Sequence, residues 1–156
     1  MSNKPPDLIN RYMNTELSSN MEDYIETIAI LAGNSKVVRV KDIAKMLNIK
    51  MPSVTSALNK LRDIKLIDYE KYGYIELTEE GKYLAERIYH RHTCLTDFFK
   101  LVMKLDPHDA ERIACKMEHD ISAEACTKLH KFLEFYKDEE GKDKEWTKRL
   151  KKYLDK

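Results

Sequence analysis

Cys115, Glu118 and His119 stand three and four residues apart, so in a helix a thiolate, a carboxylate and an imidazole would project from one face. Far upstream, Asp23 and Glu26 make a second pair at i, i+3. Neither set alone would hold a transition metal firmly. Together, and with one more imidazole, they would supply donors for one or two divalent ions. His90 and His92 are candidates for that imidazole, but residues two apart on a helix point to opposite sides, and spacing alone does not choose between them. Each donor also has a plainer reading. Asp and Glu on helix surfaces are mostly solvated charges, and an isolated Cys is mostly a small core residue. On the same grounds Cys94 and Cys126 read as core thiols, His108 as exposed, and His130, beside Leu129 and Phe132, as structural.

The elements that must position these donors emerge from periodicity. Ser19 and Glu22 fit a capping box at the head of a helix whose apolar stripe is Ile25, Ile28, Ala29 and Ala32, stopped at Gly33-Asn34. A strand-like run, Val37 to Val40, precedes a short helix from Lys41 to Leu47. After the turn Asn48-Ile49-Lys50, Pro52 suits the first turn of a second helix, with Val54, Leu58 and Leu61 as its apolar side. Two short helices across a tight turn describe a helix-turn-helix. Leu66 to Tyr69 and Tyr74 to Leu77 read as a hairpin wing across Glu70–Gly73. Thr78 would cap a long helix through Leu84, Ile88, Leu95 and Phe99, ending near Pro107. Helices are then expected over Asp109–His119, from Ser122 through Tyr136 to a break at Gly141, and along the Lys-rich end, where Trp146, Leu150 and Leu154 share an edge.

A helix-turn-helix lays the start of its second helix in the major groove of DNA. That end carries Lys50, Pro52, Ser53, Thr55 and Ser56, with Asn59 and Lys60 a turn later. Hydroxyls and amides can bond base edges or phosphates, lysines neutralise phosphates, and proline can contact a thymine methyl. Lys41, and Lys71 and Tyr72 at the wing tip, are further candidate DNA contacts. Between Lys36 and Lys82 ten Lys/Arg face seven Asp/Glu, a local excess of three against a net charge of +1 for the chain. So modest an excess suits a dimer on a defined double-stranded operator more than a nonspecific coat. Winged helices also serve as protein-interaction domains; the small polar residues at the exposed positions favour DNA.

With 156 residues, 42% hydrophobic and 35% charged, and only 4 Gly and 4 Pro, the chain is helix-rich and long enough for a packed core. The 3 cysteines suggest no disulfide framework, no leader pattern precedes them, and no apolar run approaches the roughly 20 residues of a membrane span. The expectation is a cytoplasmic protein with reduced thiols.

Taken together these segments resemble the DtxR/MntR family of metal-dependent transcriptional repressors, most nearly its short, manganese-responsive MntR branch, which lacks an SH3-like domain. Met-Glu-Asp-Tyr-Ile-Glu at 21–26 is similar to the family's first-helix motif, and Val40-Lys-Asp-Ile-Ala to the first helix of its reading head. Pro-Ser-Val-Thr at 52–55 is similar to its recognition helix. Glu70-Lys-Tyr is similar to the family's wing, and Leu77-Thr-Glu-Glu-Gly-Lys to the segment after the wing. Tyr89-His-Arg-His92 resembles the segment whose last histidine is a ligand, and Cys115-Lys-Met-Glu118-His119 the second ligand helix. The resemblance therefore implies the metal ligands Asp23, Glu26, His92, Cys115, Glu118 and His119. Two departures stand out. The manganese-type pattern has Glu where Cys115 stands, whereas the iron-responsive branch has Cys there but Met in place of Asp23. That branch's second site, with Glu at the position of Thr96 and His at that of Glu111, is missing. The ligand set is a hybrid: hard oxygens suit Mn²⁺ or Fe²⁺, and the thiolate adds affinity for Co²⁺, Zn²⁺ or Cd²⁺ in vitro.

The expected architecture is mainly α: an arm over 1–18, a winged helix-turn-helix over 19–80, and an all-helical dimerisation and metal-binding domain over 81–156. The expected function is a homodimeric, metal-dependent repressor of metal-ion homeostasis and not an enzyme. Mn²⁺ or Fe²⁺ bound between the domains would orient the dimer on its operator. The alternative is a winged-helix repressor answering a small organic ligand or oxidation of a thiol.

Overall fold

The computed structural model describes residues 17–34, 37–70, 73–142 and 144–154. The expected arm up to residue 16, and Lys71 and Tyr72, lie outside them. The chain divides into two compact units, one up to Arg87 and one from Ile88.

The first unit is a winged helix-turn-helix. Helix α1 (Ser19–Asn34) buries Ile25 and Ile28 completely, as the stripe predicts. Its cap lies one residue earlier than the capping box implies: the Ser18 carbonyl accepts from the Glu22 amide at 3.1 Å, so Ser18 holds the cap position. Helices α2 (Val40–Met46) and α3 (Met51–Asp63) are joined through Asn48, whose φ of 53° is the left-handed conformation Asn tolerates better than most residues. Val54, Leu58 and Leu61, all fully buried, fix α3 against the core and leave Pro52, Ser53, Ser56 and Lys60 in solvent.

The wing is an antiparallel pair, β1 (Ile67–Tyr69) and β2 (Ile75–Leu77), in the register Ile67 to Leu77, Asp68 to Glu76 and Tyr69 to Ile75. The strand-like run ahead of α2 contributes one bridge: Val38 pairs with Ile75, whose amide donates to the Val38 carbonyl at 3.1 Å. Arg39, the next residue, lays its guanidinium over the Tyr74 ring, 5.3 Å from the centroid.

Helix α4 (Glu79–Asp97) starts as predicted at Thr78, whose hydroxyl accepts from the Gly81 amide at 3.1 Å and donates to the Lys65 carbonyl at 2.8 Å. Gly81 is required here because a Cβ would lie 2.0 Å from the Leu66 carbonyl oxygen, a backbone atom that cannot step aside. Gly81→Ala is expected to cost about 3 kcal/mol through overpacking. A thermal melt should show a fall of about 10 °C. An unchanged midpoint would mean that the start of α4 yields freely.

The second unit is all-helical. The last turn of α4 widens into a π-helical turn, Phe98–Val102, in which the Met103 amide reaches the Phe98 carbonyl at 3.2 Å. Lys104 then takes a left-handed φ of 56° and ends the run. Helix α5 (Pro107–Met117) begins two residues before the predicted span, because Asp106 caps it by accepting from the His108 amide at 2.9 Å, and it gives way to the cap residue Glu118 after Met117. Helix α6 (Ala123–Lys142) is capped by Ser122 and runs through Gly141 rather than breaking there. Helix α7 (Lys144–Leu154) comes next, with Trp146 set edge-on to Tyr136, centroids 5.2 Å apart. The core of this unit is Cys94, Val102, Cys126, Leu133 and Tyr136, with Phe98, Leu129, Trp146 and Leu150 packed on it. Cys94 and Cys126 are thus the core thiols expected, whereas His130, expected to be structural, is exposed. Among the described residues no helix is long and apolar enough to cross a membrane.

Candidate metal centre and nucleic-acid interface

Along α5, Ala110, Ala114 and Glu118 recur at intervals of four and share one face, and all three are completely buried. Two alanines leave room for close packing, and the stripe ends in a carboxylate with no water around it. Burying that carboxylate is costly unless its oxygens are engaged. Oε2 of Glu118 receives His92 Nδ1 at 2.6 Å. Oε1 has no hydrogen-bond partner among the described residues, and His119 Nε2 lies 3.6 Å from it, beyond hydrogen-bond reach.

His92, on α4, is held from both sides. Its Nε2 meets Glu111 Oε1 at 3.1 Å while Nδ1 meets Glu118. The Glu118 hydrogen bond, helped by Glu111 and opposed by partial burial, pushes the imidazole up to about 9. At neutral pH it is an imidazolium donating from both nitrogens. The proton occupies the place of a cation between two carboxylates.

The cluster on α5 is divided by burial. Glu118 is interior, His119 half-buried, and Cys115 exposed on the solvent side of the helix. On α1, Asp23 and Glu26 are half-buried beside the fully covered Ile25 and Ile28. Glu111 stands in the sequence only as the place of a missing ligand, although it lies one turn before Cys115 on the same helix, and that spacing is the signal that could find it. A buried carboxylate oxygen without a hydrogen-bond donor, with His92 on the other oxygen, His119 at 3.6 Å and the Glu111 carboxylate beyond His92, is a fit for a hard or borderline divalent cation. A histidine that gives one nitrogen to a metal commonly gives its other N–H to a carboxylate, and Glu111 and Glu118 stand at the two nitrogens of His92.

The second candidate surface is the exposed side of α3. Lys50, the cap residue, and Pro52, Ser53, Ser56 and Lys60 are exposed, as is Lys41 on α2. Thr55 and Asn59 are half-buried, and the Thr55 hydroxyl donates back to the Met51 carbonyl at 3.1 Å, which leaves it only as an acceptor for a ligand. An open groove runs between this side and the first turn of α1, lined by Asn20, Met21, Pro52, Ser53, Ser56 and Lys60.

Two family models match the chain: the iron dependent repressor N-terminal DNA binding domain over residues 16–75, and the iron dependent repressor metal binding and dimerisation domain over 78–147. An uncharacterised HTH-type transcriptional regulator of Methanocaldococcus jannaschii is 36% identical over 123 residues, 78% of this chain and 98% of the relative. The HTH-type transcriptional regulator MntR of Geobacillus thermodenitrificans is 35% identical over 124 residues, 78% of this chain and 85% of that one. Among solved structures, that of the manganese regulator SloR superposes with a TM-score of 0.66 at 26% identity, covering 76% of this chain. The chain spans 55% of that longer protein.

Proposed function

The chain belongs to the iron-dependent repressor family, and from that premise we propose that it is a metal-dependent, DNA-binding transcriptional repressor that works as a homodimer in the cytoplasm. The observation that carries the metal reading is the Glu118 carboxylate, wholly buried, with one oxygen on His92 and the other without a donor. We assign Glu118, His92 and His119 as ligands. Asp23 and Glu26 of α1 and the Cys115 thiolate complete the proposed set, as the family resemblance implies. The ion is Mn²⁺ or Fe²⁺, in keeping with a mostly oxygen and imidazole shell. Held by these residues, the ion would supply beside Glu118 the positive charge that the His92 proton supplies without it. Metal binding by these residues would make operator affinity depend on metal, and operator would then tighten metal binding by the same factor. This is a regulator's chemistry; no catalytic role is assigned to any residue.

The test is an anaerobic titration of Mn²⁺ and of Fe²⁺ against a duplex selected from a random pool with metal present. Binding should strengthen with metal and reverse with chelator. If chelator changes nothing while peroxide or an organic effector does, the other repressor reading takes over.

On the DNA side, Lys50, Pro52, Ser53, Ser56 and Lys60 are proposed contacts of α3, with Thr55, Asn59, Lys41, Lys71 and Tyr72 as further ones. Lys60, exposed a turn beyond the helix start, is assigned to phosphate. Lys60→Ala should therefore weaken binding by a similar factor on operator and on unrelated duplex, and lower the salt slope by about one. A loss confined to the operator would reassign Lys60 to base reading.

A further inference from the structure

Glu111 takes no part in the ligand set just assigned, yet it touches a member of it. Glu111 and Glu118 stand seven residues apart on α5, two turns of helix, and so lie nearly in line along one side of it. The imidazole of His92, on α4, bridges that line with one edge to each carboxylate. Its Nδ1 is 2.6 Å from Glu118 Oε2, and its Nε2 is 3.1 Å from Glu111 Oε1. The two contacts differ in their surroundings. The Glu118 side chain is wholly buried, that of His92 is 16% exposed, and that of Glu111 is 63% exposed.

A neutral imidazole has one lone pair and one N–H, on different nitrogens, so a ring that gives its lone pair to an ion must place its N–H on an acceptor. Nδ1 faces the interior carboxylate, whose other oxygen has no donor, and Nε2 faces the carboxylate on the solvent side. We propose that Glu111 is a positioning residue of the metal centre: by accepting from Nε2–H it fixes the tautomer and the tilt of His92, so that Nδ1 is the nitrogen offered to the ion. This deepens the metal-dependent reading given above and rests on it. Glu111 is not itself a ligand in this arrangement, because it sits at the edge of the ring that points away from an ion on Nδ1. An outer carboxylate of this kind restricts the ring and makes its free nitrogen more basic. With Glu111 and Glu118 both on α5, one helix holds both edges of a ring supplied by the other. An exposed Glu–His contact adds little to stability, so the effect belongs to metal affinity and not to the fold.

The experiment compares the full chain, without DNA, with Glu111→Ala and Glu111→Gln. Both variants lose the charge, and only glutamine keeps an oxygen that can accept from Nε2–H, so their difference isolates the acceptor. An exposed helical position tolerates either residue. Mn²⁺ affinity, read by competition with a chelator, should fall about 10- to 100-fold in the alanine variant, and glutamine should recover most of it. The second readout is long-range proton–nitrogen NMR of isotopically labelled histidine in the chain loaded with diamagnetic Cd²⁺, His92 being assigned through His92→Gln. In wild type and in Glu111→Gln, Nδ1 should carry the metal and Nε2 the proton, and Glu111→Ala should lose that single pattern. Cadmium on Nε2, or manganese affinity equal in wild type and Glu111→Ala, would overturn the role of Glu111. So would equal losses in the two variants, which would make Glu111 a charge or a ligand and not an acceptor. In all these outcomes His92 of wild type still responds to cadmium, and the regulatory site stands. If the His92 nitrogens of wild type do not respond to cadmium, the regulatory reading fails and the role of Glu111 with it.

Discussion

Glu118→Gln should raise the Mn²⁺ concentration needed for half-maximal operator binding by about a hundredfold or more, since even groups that only orient a ligand change metal affinity by about 10- to 100-fold. Glutamine keeps the shape and can still accept from His92 Nδ1, which now lies at 2.6 Å. What goes is the negative charge, and with it the reason for a cation to enter a place with no water. The metal-free protein should bind DNA as weakly as metal-free wild type, with the same salt slope, because nothing on α3 has changed. Its melting point without metal is a second readout. The amide gives up the charged partner of the His92 imidazolium, so at neutral pH the metal-free fold should lose on the order of 1–2 kcal/mol. An unshifted manganese midpoint in the variant would remove Glu118 from the ligand set and with it the central claim.

The second large effect is on pH. His92 is held up to about 9, first by the hydrogen bond to Glu118 and then by Glu111, against the opposing effect of burial. An ion that takes a nitrogen of His92 must displace that proton. For its part in the shell His92 should make apparent metal affinity climb by about tenfold per pH unit from pH 6.5 toward 9 and level off above, with any thiol proton lost from Cys115 adding to the slope. Isothermal titration in buffers of different ionisation enthalpy would count the protons directly, one from His92 and a second from the Cys115 thiol if it joins the shell. A flat profile would mean that His92 stays outside the shell. The stability of the metal-free chain runs the other way. The imidazolium is favoured in the folded state relative to its ordinary value of 6.5, so its contribution is complete below pH 6.5 and is lost as pH rises through 9. Allowing for solvent around a half-buried ring, that loss is on the order of 1–2 kcal/mol, readable by urea unfolding with chelator present. Cys94, pushed by burial from 9.0 up to about 11, begins to lower stability only above that window.

The helices of the first unit are legible because each carries one unambiguous signal. Val54, Leu58 and Leu61 keep a helical period, Pro52 marks a first turn, and Thr78 stands three residues before the Gly81 amide it caps. The pattern carries nothing that depends on contacts distant in sequence. The capping box at Ser19 is a good local match, yet the chain enters α1 one residue earlier. The displaced start of α5 traces to Asp106, whose side chain begins that helix before Asp109 could. At the other end Glu118, the cap residue, keeps the helical interval of four to Ala110 and Ala114 and is buried with them, while Cys115 is exposed. Periodicity can place donors on one helix, but not say which of them the fold will dehydrate. His90 and His92 show the same limit. Spacing leaves them equivalent, and only the approach of Glu111 and Glu118 to His92 distinguishes their surroundings.

The widened turn at Phe98–Val102 bears on how this chain is lined up with others. One residue more than a regular helical turn is taken up there, so by the end of it, at Leu101 and Val102, side chains are set back by about 100° about the helix axis relative to an uninterrupted helix. Against a homologue that lacks the bulge, ungapped alignment would set Leu101 and Val102 opposite neighbours on the wrong facet. A one-residue gap near Phe98 is the placement that restores Leu101 and Val102 to the apolar interior they occupy.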